Sequence, residues 1–322
     1  MKPRLSDADF IKLFEQHGAQ HIADITKVRI NNIYARRRRL ENALNRPITP
    51  PNPGHQGQFH PQREEHPARA DATIKDGVVL VGSDAHYFPG IISTAHRAFV
   101  YFCRKYRPRL IILNGDVIDA STISRFPPIG WEQRPTLISE IEAAKDRMNE
   151  IEAATKGFGC DFWWPIGNHD ARFATRLATI APEYAKVYGT KLKDHFGKKW
   201  QPCWSGWINN DVVVKHRFKG GIHATHNNTL WAGKTIVTGH LHSLKVTPFD
   251  DYNGTRWGID TGTLAEPNGP QFINYTEDNP KNHRSGFVFM TFKDSKLLWP
   301  EVVRVVDEKK GIVDFRGELV KV

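Results

Sequence analysis

The chain has 322 residues, of which 39% are hydrophobic and 25% charged, a globular composition that excludes a wholly disordered or fibrous protein. No apolar run reaches the roughly 18 to 20 residues that cross a bilayer, and Asp7 and Asp9 interrupt any apolar region that a secretory leader would need. With three cysteines that lack metal-site or redox spacing and a formal charge of +10, we expect a cytoplasmic protein of about two domains without a membrane partner.

Residues 1–46 are predicted to form a small all-helical domain. A first helix begins with the cap-like Ser6-Asp7-Ala8-Asp9 and ends at Gly18, and a second covers Ala19 to Thr26. A third carries apolar residues at Ile33 and Leu40, whose spacing leaves the arginine run 36–39 mostly facing solvent. Residues 27–46 hold seven basic residues against one acid, so the positive charge is concentrated on this helix.

Residues 47–74 are predicted to be a disordered linker. Residues 47–72 contain six prolines and two glycines but almost no aliphatic side chains, so they lack the apolar surface that offsets chain ordering. The histidines in this stretch have no acidic or cysteine partner at ligand spacing, and we expect them to be solvated: His55, His60 and His66.

Residues 75–322 are predicted to form an α/β domain. Short β-branched strands alternate with helices over Thr94 to Tyr106 and Leu137 to Ala154, which indicates a mainly parallel sheet. The predicted strands are Val78 to Gly82, Leu110 to Asn114, Phe162 to Ile166, Val212 to His216 and Thr235 to Thr238. After Gly254 we expect no further helix, and antiparallel strands at Phe287 to Phe292, Leu297 to Val306 and Ile312 to Phe315 that belong to a second packed sheet.

Metal-ligand residue types follow each of the five predicted strands. These clusters are Asp84-Ala85-His86, Gly115-Asp116-Val117-Ile118-Asp119, Gly167-Asn168-His169-Asp170, His216 and Gly239-His240-Leu241-His242. Because the carboxyl ends of parallel strands meet at one edge of a sheet, we expect these side chains to converge there. Carboxylates mixed with imidazoles suit Mn²⁺, Fe or Zn²⁺ better than Mg²⁺ or Ca²⁺.

In this order, over residues 77–265, the clusters resemble the signature of the calcineurin-like metallophosphoesterases: Asp-x-His, Gly-Asp-x-x-Asp, Gly-Asn-His-Asp/Glu, a lone His and Gly-His-x-His. The resemblance implies a two-sheet αββα sandwich and two divalent transition-metal ions, with Mn²⁺ expected and Fe, Zn²⁺ or Ni²⁺ as alternatives. Asp84, His86 and His242 would bind one ion. Asn168, His216 and His240 would bind the other, and Asp116 would bridge them.

Two further roles follow from the same resemblance. His169 would protonate the leaving oxygen, and Asp119 would orient it. The lone histidine remains open between three residues, since His223 and His226 also precede Gly239; His216 is preferred because a valine strand delivers it to the sheet edge. The residues Ala120-Ser121 and Asp170 depart from the phosphoprotein phosphatase pattern and weaken that assignment.

The stretch Ile22 to Arg39 resembles a helix-turn-helix, although Lys27 stands at the usual glycine of the turn and Arg29 at the usual cap. We expect DNA as partner, with the arginine run neutralising phosphates and the asparagines contacting bases or sugars. The predicted contacts are Arg29, Asn31, Asn32, Arg36, Arg37, Arg38 and Arg39. The combination with this catalytic fold resembles an arrangement of tailed bacteriophages, which would place the protein in the host cytoplasm.

The leading hypothesis is a dinuclear-metal-dependent phosphoesterase that hydrolyses phosphodiester bonds and acts on DNA or is tethered to it. One alternative is a phosphatase or phosphodiesterase for small nucleotides or phosphoproteins that the N-terminal unit localises. Another is a DNA-binding regulator whose catalytic fold is idle, which the complete ligand set argues against. The sequence predicts neither the oligomeric state nor endonuclease or exonuclease action.

Overall fold

The computed structural model describes residues 5–50, 67–130, 132, 134–276, 279 and 281–322. The chain divides between Glu64 and Glu65 into two compact units. Most of the predicted linker, residues 51–66 with all three of its histidines, lies outside the described residues. Among the described helices, none is both long and apolar enough to cross a membrane.

The N-terminal unit contains helices α1 (Asp7–Thr26) and α2 (Ile30–Leu44). The Ser6 hydroxyl accepts the Asp9 N–H at 3.1 Å and caps α1, as the sequence predicts. Gly18, with φ 79° and ψ 179°, breaks α1 into the two predicted segments. Lys27 takes the left-handed conformation that ends α1, and Arg29 makes no side-chain cap at the start of α2.

The core of this unit is a small apolar cluster, and part of the arginine run packs beside it. Its buried members are Phe10, Phe14, Ala19, Ile22, Ile33, Leu40 and Ile48. The Arg36 guanidinium binds the Asp7 carboxylate and the Leu5 carbonyl, and it lies 4.6 Å from the centre of the Phe10 ring. The arginine run is predicted to face mostly solvent, and Arg38 and Arg39 are exposed, whereas Arg36 and Arg37 are half-buried because α1 presents an acid and aromatic rings to α2.

The second unit contains strands in two sheets and five helices among its described residues. The helices are α3 (Thr94–Tyr106), α4 (Leu137–Ala154), α5 (Asp170–Ile180), α6 (Ala224–Ala232) and α7 (Pro270–Thr276). The strands are β1 (Arg69–Ala72), β2 (Gly77–Gly82), β3 (Leu110–Leu113), β4 (Asp161–Pro165), β5 (Trp200–Cys203), β6 (Ser205–Ile208), β7 (Val212–Val214), β8 (Thr235–Thr238), β9 (Lys245–Asp251), β10 (Gly254–Asp260), β11 (Gly286–Lys293), β12 (Lys296–Leu297), β13 (Glu301–Asp307), β14 (Ile312–Phe315) and β15 (Glu318–Lys321).

The larger sheet has the order β15-β14-β13-β11-β2-β3-β4-β5, with β12 beside β11, and is parallel from β2 to β5. The smaller sheet has the order β1-β6-β7-β8-β10-β9, with β7, β8 and β10 parallel. The clusters of polar residues that the sequence predicts to converge follow β2, β3 and β4 in the larger sheet and β7 and β8 in the smaller sheet.

The two sheets pack face to face. Val79, Ile112 and Val288 of the larger sheet share one core with Val214 and Ile259 of the smaller sheet. Helices α3 and α4 bury their apolar sides on the outer face of the larger sheet. On the other side α6 approaches β10 so closely that a Cβ at Gly258 would lie 1.8 Å from the Thr225 carbonyl oxygen. The predicted αββα sandwich is therefore confirmed.

Three local predictions differ from the structure. Arg69–Ala72 lies inside the predicted linker but pairs with β6 as an edge strand, because Ala70 fills a buried position against the sheet core. The helix α7 follows Gly254, where no helix is expected. The predicted strand from Leu297 to Val306 is two strands, since Pro300 interrupts the run between β12 and β13.

Candidate metal centre

The candidate site lies where the carboxyl ends of the two sheets meet. The loop after β2 supplies Asp84 and His86, and the loop after β3 supplies Asp116 and Asp119. The loop after β4 supplies Asn168 and His169. From the smaller sheet, His216 follows β7, and His240 and His242 follow β8.

The structure brings the predicted ligands together in two groups. The ligand atoms of Asp84, His86 and His242 all lie within 4.8 Å of one another, and so do those of Asp116, His216 and His240. A His216 ring nitrogen, Nε2, lies 3.0 Å from Asp116 Oδ2 and 3.9 Å from Asp84 Oδ1, so the two groups adjoin.

Unpartnered buried atoms show that these side chains suit a cation. His216 Nδ1 binds the Asn114 carbonyl oxygen at 2.6 Å and His86 Nδ1 binds Asp119 Oδ1 at 3.2 Å, which fixes the orientation of each ring. His86 Nε2 and Asn168 Oδ1 are buried without a hydrogen-bond partner, whereas His216 Nε2 faces the Asp116 carboxylate at 3.0 Å. Buried polar atoms are normally paired, and a bound metal would pair these.

The backbone around these ligands is held in a sparsely populated conformation. Non-glycine residues with positive φ are uncommon, and each costs about 1 to 3 kcal/mol. Five of the seven predicted ligands have one: Asp84 (50°), His86 (37°), Asp116 (51°), His240 (73°) and His242 (57°). Strain of this kind persists where the surrounding structure imposes it, and it clusters at functional sites.

Two glycines let the loops approach these ligands closely. A Cβ on Gly167 would lie 2.1 Å from Asp116 Oδ1, and one on Gly239 would lie 2.6 Å from Asp84 Oδ2. Any larger residue would therefore displace a predicted ligand. The glycines of the Gly-Asn-His-Asp and Gly-His-x-His patterns make room for the carboxylates of other loops.

Asp170 ties two of the ligand loops together. Its buried carboxylate accepts the N–H groups of Asp116 and Val117 at 2.9 Å and that of Gly167 at 3.0 Å. The Trp164 indole N–H donates to it at 3.0 Å. Burial, together with the nearby Asp116 charge, raises the pKa of Asp170 to about 6.

The carboxylates and imidazoles of the site balance one another. Burial favours neutral Asp84, but His242 and His216 outweigh it and lower the Asp84 pKa to about 2. Burial likewise opposes protonation of His216, yet Asp116 and Asp84 raise its pKa to about 10. In the protein alone, protonated His216 offsets the carboxylate charge that a divalent cation would otherwise neutralise.

His169 and Asp119 stand beside the two ligand groups. His169 Nδ1 lies 2.7 Å from Asp119 Oδ1, while its Nε2 faces Asp116 Oδ2 at 3.8 Å. Burial would lower the His169 pKa, but Asp116 and Asp119 raise it above its usual value. The Arg172 guanidinium binds the Asp119 carbonyl oxygen at 2.8 Å and lies 3.3 Å from His169 Nε2.

The three histidines that the sequence leaves open occupy different places. His216 is buried within the site. His223 precedes α6 and is exposed, whereas His226 is exposed on α6 with its ring 5.6 Å from that of Phe249. Only His216 of these three belongs to a ligand group among the described residues.

Sequence reasoning missed two neighbours of the site, Phe272 and His283. The His283 ring centre lies 4.5 Å from that of His242, and the Phe272 ring lies 5.2 Å from that of His86. Burial, and then the charge of His242, lower the pKa of His283 to about 4. Neither residue follows a predicted strand, so the pattern of polar residues after strands does not predict that they lie at the site.

The predicted DNA contacts of the N-terminal unit separate into two sets. Arg36 and Arg37 are half-buried, and Arg37 lies 3.4 Å from Glu41 and 5.6 Å from the centre of the Phe14 ring. The exposed set is Arg29, Asn31, Asn32, Arg38 and Arg39. A cavity of about 310 Å³ is lined by Asn31, Tyr34, Arg37 and Arg38.

No family model matches the chain, and no curated protein matches its sequence. Among solved structures, Vps29 from Entamoeba histolytica complexed with Zn²⁺ is 14% identical, with a TM-score of 0.37 over 76% of this chain and 98% of that chain. The nuclease MPE of Pseudomonas putida is 13% identical (TM-score 0.32; 69% and 86% covered), and a dimetal phosphatase of Danio rerio is 12% identical (TM-score 0.32; 71% and 95% covered). The function proposed below rests on the side chains of this chain and not on these likenesses.

Proposed function

We propose that this chain is a dinuclear-metal-dependent phosphoesterase that hydrolyses phosphodiester bonds and acts on DNA. The observation that carries the proposal is the pair of adjoining ligand groups, with buried unpartnered atoms on His86 and Asn168. A stable fold leaves such atoms unpaired only at a cost of about 1 to 3 kcal/mol each. Two such atoms on predicted ligands support a site built for cations.

In this proposal Asp84, His86 and His242 hold one cation, Asn168, His216 and His240 hold the other, and Asp116 lies between them. Two divalent ions bound there would supply Lewis acidity toward a phosphoryl group and a nucleophile at neutral pH. The mixture of imidazole nitrogens and carboxylate oxygens favours a transition metal, and we propose Mn²⁺, with Fe, Zn²⁺ and Ni²⁺ as the competing ions.

His169 supplies the proton for the leaving oxygen. Asp119 accepts from Nδ1 and thereby directs Nε2 toward the ligand groups, and Asp116 and Asp119 raise the His169 pKa above its usual value, which favours the protonated ring. The Asp116 carboxylate accepts the His169 backbone N–H at 2.7 Å. This hydrogen bond fixes the position of His169 relative to Asp116, the predicted bridging ligand.

The N-terminal unit supports DNA as the partner. Its exposed arginines and asparagines lie on and just before α2, the helix that would enter or flank a groove in a helix-turn-helix. Lys27 adopts the left-handed turn conformation despite replacing the usual glycine, so that departure does not prevent the turn. A DNA-bound unit on the same chain raises the local concentration of the catalytic unit at its substrate.

Metal reconstitution followed by a substrate panel tests the proposal. We expect two equivalents of Mn, Fe, Zn or Ni by elemental analysis, and hydrolysis of bis-p-nitrophenyl phosphate and DNA that a chelator abolishes. His216→Ala should lose metal, whereas His226→Ala, which changes an exposed histidine outside the ligand groups, should retain it.

The panel also separates the alternatives. Hydrolysis of p-nitrophenyl phosphate without the diester would indicate a phosphomonoesterase, and metal binding without hydrolysis would indicate an idle regulator. Absence of bound metal after reconstitution would refute the proposal.

A further inference from the structure

A surface beside the metal centre joins exposed aromatic rings to basic side chains. It is formed by the segment around His216 and by α6, and we call it the α6 surface: Lys215, Arg217, Phe218, Lys219 and Trp231. Trp231 is 69% exposed and Phe218 40%. The Lys219 ammonium lies 3.5 Å from the centre of the Trp231 ring, and that of Lys215 lies 5.2 Å from the Phe218 ring.

This part of the chain carries positive charge without acids to balance it. Residues 212–249 contain no aspartate or glutamate, although the whole chain has 35 in 322 residues. Lys234 pairs with Asp211 at 4.0 Å, but no ion pair of the described residues involves Lys215, Arg217 or Lys219. Cations that contact aromatic rings but are not paired with an acid keep their charge available to an anionic partner.

The loop that carries these residues is held in place. Asn228 of α6 is buried, accepts the Lys219 N–H at 3.1 Å and donates to the Lys219 carbonyl at 3.3 Å. The Lys245 ammonium donates to the Ile222 carbonyl at 3.3 Å, and the hydroxyls of Thr225 and Thr247 lie 2.8 Å apart. The backbone of such a fixed loop needs little further ordering when a ligand binds.

The α6 surface begins beside the metal centre. Lys215 and Arg217 flank His216 in the chain, and His216 belongs to a ligand group with Asp116 and His240. Three residues of extended chain span at most about 11 Å, so the Lys219 backbone lies within that distance of His216. A polymer bound here reaches the ligand groups.

We infer that the α6 surface binds a single strand of DNA and leads it to the metal centre, an inference that rests on the proposed phosphodiesterase function. Alternating cations and exposed aromatic rings are what unpaired strands require, because cations neutralise phosphates and rings stack on bases. A duplex hides the base faces that Trp231 would contact. The exposed rings therefore favour a single strand.

Fluorescence anisotropy with labelled oligothymidylate tests this in the full chain. The measurement is made in EDTA, and in an Arg38→Gln/Arg39→Gln background that reduces the contribution of the N-terminal unit. Trp231→Ala should raise the Kd by at least about 5-fold, and Trp231→Phe, which keeps a stacking ring, should retain most of the affinity. Lys219→Gln should make the slope of log K against log salt shallower by about 0.7.

Matched controls use an exposed tryptophan and lysine outside this surface. Trp299 is 61% exposed and Lys296 lies on β12, and Trp299→Ala and Lys296→Gln should leave the Kd unchanged. An equal Kd for Trp231→Ala and the background protein would overturn the inference. So would tighter binding of a duplex, binding of RNA without DNA, or a dimer that Trp231→Ala dissociates.

The same variants distinguish this inference from the proposed function. In the metal-loaded protein, Trp231→Ala should lower the ratio of kcat/KM for the oligonucleotide to kcat/KM for bis-p-nitrophenyl phosphate. Hydrolysis of the small diester with that ratio unchanged refutes the α6 surface alone. Absence of all hydrolysis, with oligonucleotide binding that depends on Trp231, refutes the enzymatic function and retains the surface.

Discussion

Asp119 contacts two histidines for which we propose different roles. Its Oδ1 lies 3.2 Å from His86 Nδ1 and 2.7 Å from His169 Nδ1, and the two rings meet edge to face at 4.8 Å. His86 belongs to one ligand group with Asp84 and His242 and to another with Asp119 and His169, and only His169 of the two histidines has Arg172 beside its other nitrogen. A cationic neighbour suits a proton donor near phosphate better than a metal ligand.

We therefore expect His169→Ala to retain bound metal and lose turnover by roughly 10² to 10⁴, the usual contribution of a positioned acid. Asp119→Asn removes the charge beside both His86 and His169 and should also reduce turnover, and because Asp119 and His169 are in contact the double variant should lose less than the two single losses combined. Elemental analysis and diester kinetics on all three proteins check this. Loss of metal from His169→Ala would make the residue a ligand.

Glu140 is a buried acid of α4, and its titration should make the stability of the fold depend on pH. Its carboxylate accepts the Ala120 N–H behind the Gly-Asp-x-x-Asp loop, and burial, followed by the Asp119 charge, raises its pKa to about 7 from 4.5. The folded state therefore favours the neutral acid. The stability gained at low pH is lost as pH rises between about 4.5 and 7.

Glu140→Gln removes this titration, so its stability relative to the native sequence should increase across that pH range. A shift of this size corresponds to at most about 3 kcal/mol, at 1.36 kcal/mol per pKa unit. Urea unfolding at pH 5 and pH 8 measures the difference. Glu142→Gln changes an exposed acid on the same helix and should show no such trend; a pH-independent difference for Glu140→Gln would contradict the prediction.

At the level of elements, the sequence predicted helices and strands best where periodicity was strong. The bounds of α3 and α4 match the predicted ranges, and β2, β3, β4, β7 and β8 each lie within or next to a predicted strand. The prediction that polar residues after the parallel strands converge works because the direction of each parallel strand determines which end of the sheet its following loop occupies. It requires no knowledge of how the sheets pack.

What the sequence did not predict depends on contacts between distant segments. His283 reaches the site only because α7 and the following loop fold back beside His242, and no local pattern records that return. Arg36 has the sequence context of a solvated charge run, but Asp7 and Phe10 of α1 hold it in the folded unit. The sequence did not predict β1, which lies in a proline-rich segment, because only its pairing with β6 makes it a strand.

β1 also determines where the second unit begins. Deleting residues 1–64 should preserve the fold and the small-diester activity, whereas deleting residues 1–73 also removes the strand that covers β6. Ala70 is 2% exposed, and Asn209 binds the Ile74 N–H at 2.8 Å, so the longer deletion should lower the melting temperature by several degrees. Equal melting temperatures for the two truncated proteins would show that β1 adds no stability.

At the scale of the whole molecule, the chain combines two units with separate cores and separate candidate surfaces. The ligand groups are built entirely from the second unit. The N-terminal unit contributes exposed cations that no ligand group uses. Chemistry and DNA affinity should therefore respond to different substitutions, and the arginine run offers the sharpest test of that separation.

The four residues of the arginine run differ in exposure. Arg38 and Arg39 are exposed, although Arg39 lies 3.6 Å from Asp7, whereas Arg36 and Arg37 stabilise the unit through α1 and Glu41. Arg38→Gln/Arg39→Gln should weaken duplex DNA binding and make log K against log salt shallower by about 0.9 for each phosphate that the variant no longer neutralises. The metal content and the turnover of bis-p-nitrophenyl phosphate should stay the same.

Arg36→Gln/Arg37→Gln is the matched variant of equal charge. Because it removes the interactions with Asp7 and Phe10, it should reduce the stability of the N-terminal unit more than the outer pair does. Anisotropy at several salt concentrations and thermal unfolding separate the two effects. An unchanged salt slope for the outer pair would mean that α2 presents a solvated basic face, and DNA recognition would then rest on the second unit alone.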